Sequence, residues 1–186
     1  MSGVSLSRKI AAEFHRASGR RVALHSKLLS NLSGNLKGTS EDGGGGGGVR
    51  IGKVFTQEGC FSLDDVQSYT RLTGDSNPIH VSASSAQEAG FDSCLVPGML
   101  CGSLFPAIIG SRFEGAVYVS QDLKFKAPLL VDQPFVAEVE VCTIVKLRQQ
   151  AKVTFFTRCV RDREEGKSIF VDGQAVALMP MSFIAD

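Results

Sequence analysis

Long hydrophobic runs, paired cysteines and a strong net charge are all missing from this chain of 186 residues. No apolar run reaches the roughly 18–20 residues that a membrane-spanning helix needs, so we expect no membrane span. The formal net charge of +1 argues against nucleic acid as the main partner. The five cysteines form no CxxC pattern, and their odd number in apolar surroundings is typical of free thiols in a reducing compartment. A reactive cysteine is the alternative.

The small net charge hides an uneven distribution along the chain. Residues 1–50 hold eight of the twenty Lys and Arg residues, whereas 51–186 carries twelve basic and sixteen acidic residues. Leu6, Ile10 and Phe14 recur every four residues among basic neighbours, which predicts a basic amphipathic helix. We therefore interpret 1–42 as a transit peptide.

The composition of this leader leaves its address partly open. A mitochondrial address is expected first, and the eight serines among the first forty residues keep the chloroplast as an alternative. A disordered tail without an address is the other alternative.

An unbroken glycine run follows, from Gly43 to Gly48. Glycine has the most conformational entropy to lose on folding, so residues 43–50 are predicted to be a flexible linker. No GK[ST] follows the run, which argues against a phosphate-binding loop. The folded domain is expected to span 51–186.

The first half of this domain has a helical pattern. Ser62 and the acids after it predict a helix start, and Gly74 and Pro78 predict its end. A short helix is predicted over 82–89. Residues 97–110 are apolar and uncharged, which predicts a helix buried on every side. Pro106 should kink that helix or end its regular part.

Beyond Gly115 the hydrophobic period changes to two. Apolar and polar residues alternate in successive segments, the last of them 169–178, which predicts an antiparallel sheet. A buried apolar helix with such a sheet is an α+β layer architecture. The sheet can wrap the helix and leave its other face solvated or paired with a second subunit.

Asp75 and His80 are the strongest candidates for chemistry. His80 is the one histidine of the domain, because His15 and His25 lie in the leader. On a continuous helix the two side chains would point about 140° apart. Pro78 prevents that helix and biases Asn77 towards an extended conformation, so a turn can bring both to one side. A carboxylate and an imidazole aimed at one volume can move two protons, or hold and split a water.

A developing enolate also needs a donor aimed at its oxygen. The start of the 97–110 helix offers free backbone N–H groups, and Gly98 has no side chain to block approach. The alternative is that Gly98 only eases packing.

Two stretches of the chain resemble one known family. Thr73-Gly-Asp-Ser-Asn-Pro-Ile-His80 and Pro97-Gly-Met-Leu-Cys-Gly-Ser-Leu-Phe are similar in sequence and spacing to motifs of the MaoC-like, (R)-specific enoyl-CoA hydratase family. The resemblance covers roughly 54–180. It implies a hot-dog fold, in which an antiparallel sheet wraps around a buried apolar helix, and a homodimer. It further implies dehydration of (3R)-hydroxyacyl-thioesters to trans-2-enoyl-thioesters, or the reverse hydration, without metal or cofactor.

The resemblance also implies a role for each site residue. Asp75 and His80 would be the acid/base residues, and the Gly98 N–H the oxyanion donor. The remaining implied contacts are the polar side chains of Asn77 and Ser103 and an acyl tail lying past Met99 and Leu104. One departure matters, because the family often has histidine where this chain has Pro97. Proline suits a first helical position, so the helix start should survive the change.

The partner implied is a thioester substrate on acyl carrier protein or on coenzyme A. The leader favours carrier-protein substrates of mitochondrial fatty acid synthesis. Three alternatives remain: an (R)-specific enoyl-CoA hydratase of β-oxidation, a thioesterase, and a non-catalytic acyl-binding hot-dog protein.

Overall fold

The computed structural model describes residues 48–163 and 166–185. The predicted transit peptide and all of the predicted linker before Gly48 lie outside the described residues. By their contacts, the described residues form two compact units. The first unit comprises Cys60–Pro97 and Leu130–Gln133, and the second comprises 48–59, Gly98–Leu129 and the described residues from Pro134 onward.

The first unit is helical and follows the predicted pattern. Helix α1 spans Leu63–Thr73, and Ser62 caps it in a reciprocal capping box with Asp65. Gly74 ends the helix in a left-handed conformation, with φ of 75°, which a residue without Cβ adopts easily. A 3₁₀ turn at Pro78–His80 and helix α2 at Ala83–Glu88 complete the unit. The helix boundaries predicted from Ser62, Gly74 and the 82–89 segment are confirmed.

The second unit contains a five-stranded antiparallel sheet among its described residues. The strands are β1 Val54–Gly59, β2 Val117–Phe125, β3 Phe135–Lys146, β4 Gln150–Arg163 and β5 Gly166–Pro180, in the spatial order β1-β3-β4-β5-β2. The predicted α+β class is confirmed. Strand β1 was not predicted, because it is an edge strand in which only Phe55 is buried, so it shows no apolar alternation.

The predicted single helix over 97–110 is two helices, α3 at Gly98–Gly102 and α4 at Leu104–Arg112. Pro106 lacks the N–H that would bond to the carbonyl of Gly102, and its ring would clash there, so the break falls before the proline. Pro106 itself lies in the first turn of α4, where a missing N–H costs little. The proline therefore acts one turn earlier than expected.

Burial on every side of this segment is also a wrong prediction. One face is exposed along Met99, Ser103 and Ala107, which are four residues apart. The opposite face is buried and contacts β1, β2 and β3 through α4. Phe105 and Ile108 on that face are fully buried. The segment therefore has one exposed and one buried face, although its sequence is apolar throughout.

Backbone hydrogen bonding in the second unit begins at Val49, inside the predicted linker 43–50. Val49 is fully buried and forms a parallel bridge with Ile184. Its N–H donates to the Phe183 carbonyl at 2.6 Å, and its carbonyl accepts from the Ala185 N–H at 3.1 Å. Phe183 ends a short 3₁₀ turn, Met181–Phe183. The chain is thus held two residues before the expected start at Ile51.

Two glycines of this unit give a matched test of close packing. A Cβ on Gly173 of β5 would lie 1.8 Å from the Asp122 carbonyl oxygen of β2, whereas a Cβ on Gly110 of α4 would meet nothing within 4 Å. We predict that Gly173→Ala lowers the free energy of unfolding by about 1–3 kcal/mol through overpacking. Gly110→Ala should raise it by about 0.5–1 kcal/mol, because alanine is the better helix former. Urea unfolding curves measure both, and equal midpoints for the two variants would contradict the close approach of β2 and β5.

Candidate active site

The turn after α1 fixes the carboxylate of Asp75. Gly74 ends the helix, and the Asp75 N–H then lies 3.4 Å from the hydroxyl oxygen of Thr73. Oδ1 of Asp75 accepts the backbone N–H of Asn77 at 3.0 Å. One carboxylate oxygen is thereby held by the backbone, as in an Asx turn, while Oδ2 remains for other partners.

The imidazole of His80 is held by a backbone carbonyl. Its Nδ1 lies 2.8 Å from the carbonyl oxygen of Leu95. A carbonyl oxygen only accepts hydrogen bonds, so Nδ1 carries the proton in the neutral ring and Nε2 carries the free lone pair. The Leu95 N–H in turn donates to the Ile79 carbonyl at 3.1 Å. The tautomer of His80 is therefore set by the backbone.

The turn brings the two predicted residues together, as their spacing around Pro78 suggested. Nε2 of His80 lies 3.7 Å from Oδ2 of Asp75, and their side chains are 13% and 34% exposed. This separation is too long for a direct hydrogen bond but is short enough for a favourable ion pair once the ring is protonated. Both atoms therefore remain free to contact a third group, such as a substrate hydroxyl or a water.

Asn77 serves this turn with its own side chain. Its Oδ1 accepts the Ile79 N–H at 3.4 Å, and its extended backbone, with ψ of 115°, suits a residue before proline. Its backbone carbonyl accepts the His80 N–H at 3.2 Å. The amide of Asn77 thus shapes the turn that carries His80, a role that differs from the substrate contact implied by resemblance.

The other predicted site residues belong to the second unit. Gly98 is the first residue of α3 and follows a buried Pro97, so the helix start predicted at this position is confirmed. A Cβ on Gly98 would lie 2.5 Å from the ring of Phe125 in β2, so packing also requires glycine here. Ser103 donates its hydroxyl to the Leu100 carbonyl at 2.6 Å, and Met99 is 56% exposed.

The cysteines lack the surroundings that activate a thiol. Cys159 is fully buried and lies 3.9 Å from the Cys101 carbonyl oxygen, and the hydrogen bond with Cys101 and burial both raise the pKa of its thiol. Burial, with the nearby carboxylates of Asp132 and Asp65, raises the pKa of Cys60. Thiols with raised pKa form little nucleophilic thiolate. The alternative of a reactive cysteine therefore receives no support at these positions.

Sequence reasoning missed one contact in each of the two units. Leu95 acts through its carbonyl oxygen, and a backbone acceptor leaves no signature in a sequence. Phe125 was assigned only to an alternating strand, although its ring packs on Gly98. A large side chain packed against a glycine of a neighbouring element could have indicated this contact. The sequence alone does not show that β2 lies next to α3.

Comparison with known proteins places the chain among relatives of one kind. A family model described as "MaoC like domain" matches residues 51–159. The mitochondrial 3-hydroxyacyl-[acyl-carrier-protein] dehydratase FERN of Solanum lycopersicum is 42% identical over 132 residues, which cover 71% of this chain and 78% of that protein. A protein of Arabidopsis thaliana named 3-hydroxyacyl-[acyl-carrier-protein] dehydratase, mitochondrial, is 36% identical with the same coverage.

A solved structure confirms the predicted hot-dog fold. The (R)-hydratase from A. caviae involved in PHA biosynthesis superposes with a TM-score of 0.63 at 30% sequence identity. The match covers 71% of this chain and 98% of that one. Because the family model spans more than half of the chain and the relatives agree with it, the chain belongs to the MaoC-like family.

Proposed function

We propose that this chain dehydrates (3R)-hydroxyacyl-thioesters to trans-2-enoyl-thioesters, as a hydro-lyase without metal or cofactor. The observation that carries the proposal is the pairing of Asp75 Oδ2 with His80 Nε2 at 3.7 Å, each atom free to meet substrate. The relatives named as dehydratases and hydratases support the same reaction class. The reverse hydration of an enoyl-CoA is the second candidate, favoured by the (R)-specific enoyl-CoA hydratase of Aeromonas caviae at 33% identity.

We assign the first proton transfer to His80, and the tautomer of its ring supports this assignment. Its Nε2 accepts the proton from the carbon next to the thioester, because that lone pair is free while Nδ1 donates to Leu95. The bond between carbon 3 and its hydroxyl then breaks, and the hydroxyl takes up a proton from the imidazolium and leaves as water. The carboxylate of Asp75 stabilises the imidazolium meanwhile.

The thioester oxygen gains negative charge during this step and needs a donor. We assign that role to the backbone N–H of Gly98, which begins α3 and has no side chain. The exposed side chain of Met99 is assigned to the acyl tail, next to Leu104, and Ser103 to a supporting polar position.

The names of the relatives support the proposed substrate carrier and address. The two plant relatives are named for acyl-carrier-protein substrates and for mitochondria. Together with the basic leader, this supports carrier-protein substrates of fatty acid synthesis in the mitochondrial matrix. Among the described residues, no helix is both long and apolar enough to cross a membrane.

A homodimer is part of the proposal. Strand β2 is an edge of the sheet, and Val119 and Phe125 on it are 55% and 56% exposed. Met99 on α3 is exposed to the same degree. An apolar edge strand left open invites pairing with another chain, and a second copy can satisfy its backbone groups.

The pair is tested by substitution and a spectroscopic assay. We expect Asp75→Asn and His80→Ala each to lower turnover about 10²–10⁴-fold, because His80 is the positioned acid and base and Asp75 stabilises its imidazolium. The double variant should be little worse than either single one, because the residues act as a unit. The readout is enoyl absorbance with 3-hydroxyacyl-thioesters, and Asp92→Asn on the same unit is the control. Near-normal turnover in a folded single variant would refute the assignment.

The Gly98 donor is separated from its packing role by a pair of double variants. Phe125→Ala removes the ring that a new Cβ would meet. In that background Gly98→Ala keeps the backbone N–H, whereas Gly98→Pro removes it at a first helical position that tolerates proline. We expect the proline variant to turn over about 10²–10³-fold more slowly than the alanine variant. Equal rates would place the oxyanion donor elsewhere.

The leader is tested independently of catalysis. Residues 1–40 contain seven Lys or Arg residues against Glu13 alone. A fusion of residues 1–48 to a fluorescent reporter should enter mitochondria, because such a helix is attracted to anionic membranes and a negative potential. Arg8→Glu with Arg16→Glu should block import. Chloroplast fluorescence would select the alternative address, and a diffuse cytosolic signal would refute targeting without touching the catalytic proposal.

A further inference from the structure

The outer side of the sheet has two halves of different chemistry. Along β3, core-facing residues such as Val139 and Val141 are buried, and the residues between them face outward. In the half near the start of β3, Lys124, Asp172, Arg158 and Glu138 lie side by side across four strands. These charges are mutually compensated. Burial alone would raise the pKa of Glu138, but hydrogen bonds from Lys167 and Arg158 lower it.

The other half, at the hairpin between β3 and β4, carries aliphatic side chains and a lysine but no ion pairs between strands among the residues described here. Register places Val145 opposite Lys152, Lys152 opposite Leu178, and Gln150 opposite Pro180. The Leu147 N–H donates to the Gln150 carbonyl at 2.8 Å and closes the hairpin. We define the tip patch as six of the outward-facing residues at this end, which are Val145, Leu147, Lys152, Val176, Leu178 and Pro180. Gln150 and Thr154 face outward between them. Val145 and Leu147 are 53% and 45% exposed.

The charges on the β3–β4 hairpin and on the last part of β5 have one sign. Residues 141–161 and 173–185 contain no Asp or Glu, although the domain as a whole carries more acids than bases. Lys152 lies within the tip patch, and Lys146 and Arg148 are exposed on the same hairpin. Exposed aliphatic side chains among cations fit a surface that is both apolar and anionic. The exposed Glu114 lies at the border of this end, next to Gly115, which approaches Pro180.

An open cleft lies beside the tip patch. Its volume is about 560 Å³, and its lining is Gly115, Leu147, Arg148, Gln149, Gln150 and Pro180. Arg148 and the two glutamine amides supply donors for a phosphate, and Leu147 and Pro180 supply an apolar wall. This combination matches a phospholipid head group next to its first methylenes.

We propose that the tip patch and its cleft bind the surface of an anionic phospholipid membrane. Val145 and Leu147 enter the boundary between head groups and acyl chains, while Arg148 and Lys152 meet lipid phosphates. The chain then lies on the membrane without spanning it. This proposal concerns the sheet end only and is independent of the catalytic assignment.

Two other occupants fit the structure less well. A second copy packed face to face on the tip patch would bring the two Lys152 side chains together with no carboxylate on the patch to compensate them. An acyl carrier protein must dock near the thioester site. Along β2, Val117, which pairs with Leu178, is eight residues from Phe125, which packs on Gly98, or about 26 Å at the usual strand rise.

Vesicle co-sedimentation tests the proposal in the full chain. Arg8→Glu with Arg16→Glu forms the background, so that the leader does not dominate binding. The vesicles are phosphatidylcholine alone and an equal mixture with phosphatidylglycerol. We expect binding to the mixed vesicles only, weakened by high salt. Val145→Ser with Leu147→Ser, and Arg148→Gln with Lys152→Gln, should each weaken it about tenfold or more, because membrane binding scales with the apolar area buried and with the basic residues near the anionic surface.

The controls are matched in chemistry but lie on α1. Leu72→Ser removes a leucine that is 85% exposed, and Arg71→Gln removes an exposed arginine. Both should bind vesicles like the background chain, and all six substitutions should leave turnover in free solution unchanged. Equal binding to neutral vesicles, or tip variants that bind as the background does, would overturn the proposal. So would a tip-dependent change in oligomeric mass, or in kcat/KM for a carrier-linked substrate, without vesicle binding.

Discussion

The hydrogen bond between His80 Nδ1 and the Leu95 carbonyl, 2.8 Å long, is the constraint on which the proposed chemistry of Asp75 and His80 depends. Without this hydrogen bond the neutral ring could exchange tautomers or rotate by 180° about χ2, and either nitrogen could then face Asp75. With it, Nε2 is the basic atom in the neutral state, and protonation there gives an imidazolium that donates to Leu95 and forms an ion pair with Asp75 at 3.7 Å. A single backbone oxygen thereby converts a nearby carboxylate and imidazole into an ordered pair.

The Leu95 carbonyl oxygen is itself positioned by backbone contacts of residues 94–96, a segment without a sequence motif. The Leu95 N–H donates to the Ile79 carbonyl, and Leu95 also bridges Leu130. The neighbouring Cys94 carbonyl accepts the Val131 N–H at 3.0 Å. Residues 94–96 thus join the turn that carries His80 to the loop at 130–133. Backbone hydrogen bonds of the first unit therefore fix the position of the His80 imidazole.

Local backbone chemistry explains what could be predicted from sequence. Ser62, Gly74 and Pro78 each act on residues within one turn, so helix limits and the convergence of Asp75 with His80 follow from them. Contacts distant in sequence could not be predicted. Phe125 meets Gly98 only because of sheet register, and β1 exists only because β3 offers it an edge. Pro106 was predicted in part. Its missing N–H predicted a break in the helix, but the break falls earlier, because the hydrogen bond that is missing would have gone to the carbonyl of Gly102.

Glycines and the large residues opposite them set how β2 meets its neighbours. A Cβ on Gly98 would strike the Phe125 ring, one on Gly102 would lie 2.7 Å from Leu123, and one on Gly173 would strike the Asp122 carbonyl. The same strand is an edge of the sheet, with Phe125 still half exposed. It therefore packs tightly on one side while keeping apolar surface open on the other. That combination fits the homodimer proposed for β2.

The change to Pro97 makes the ordering of His80 more important. Where the family often has a second histidine, this chain has a residue without a titratable group, and His80 is the one imidazole in residues 51–186. Any proton that an imidazole carries in this domain must therefore pass through one nitrogen, Nε2, because Nδ1 is committed to Leu95. A site with two imidazoles could tolerate a mobile ring, since one could substitute for the other. A site with one cannot, which is why a backbone hydrogen bond with no side-chain signature matters as much here as the two residues that the motif displays.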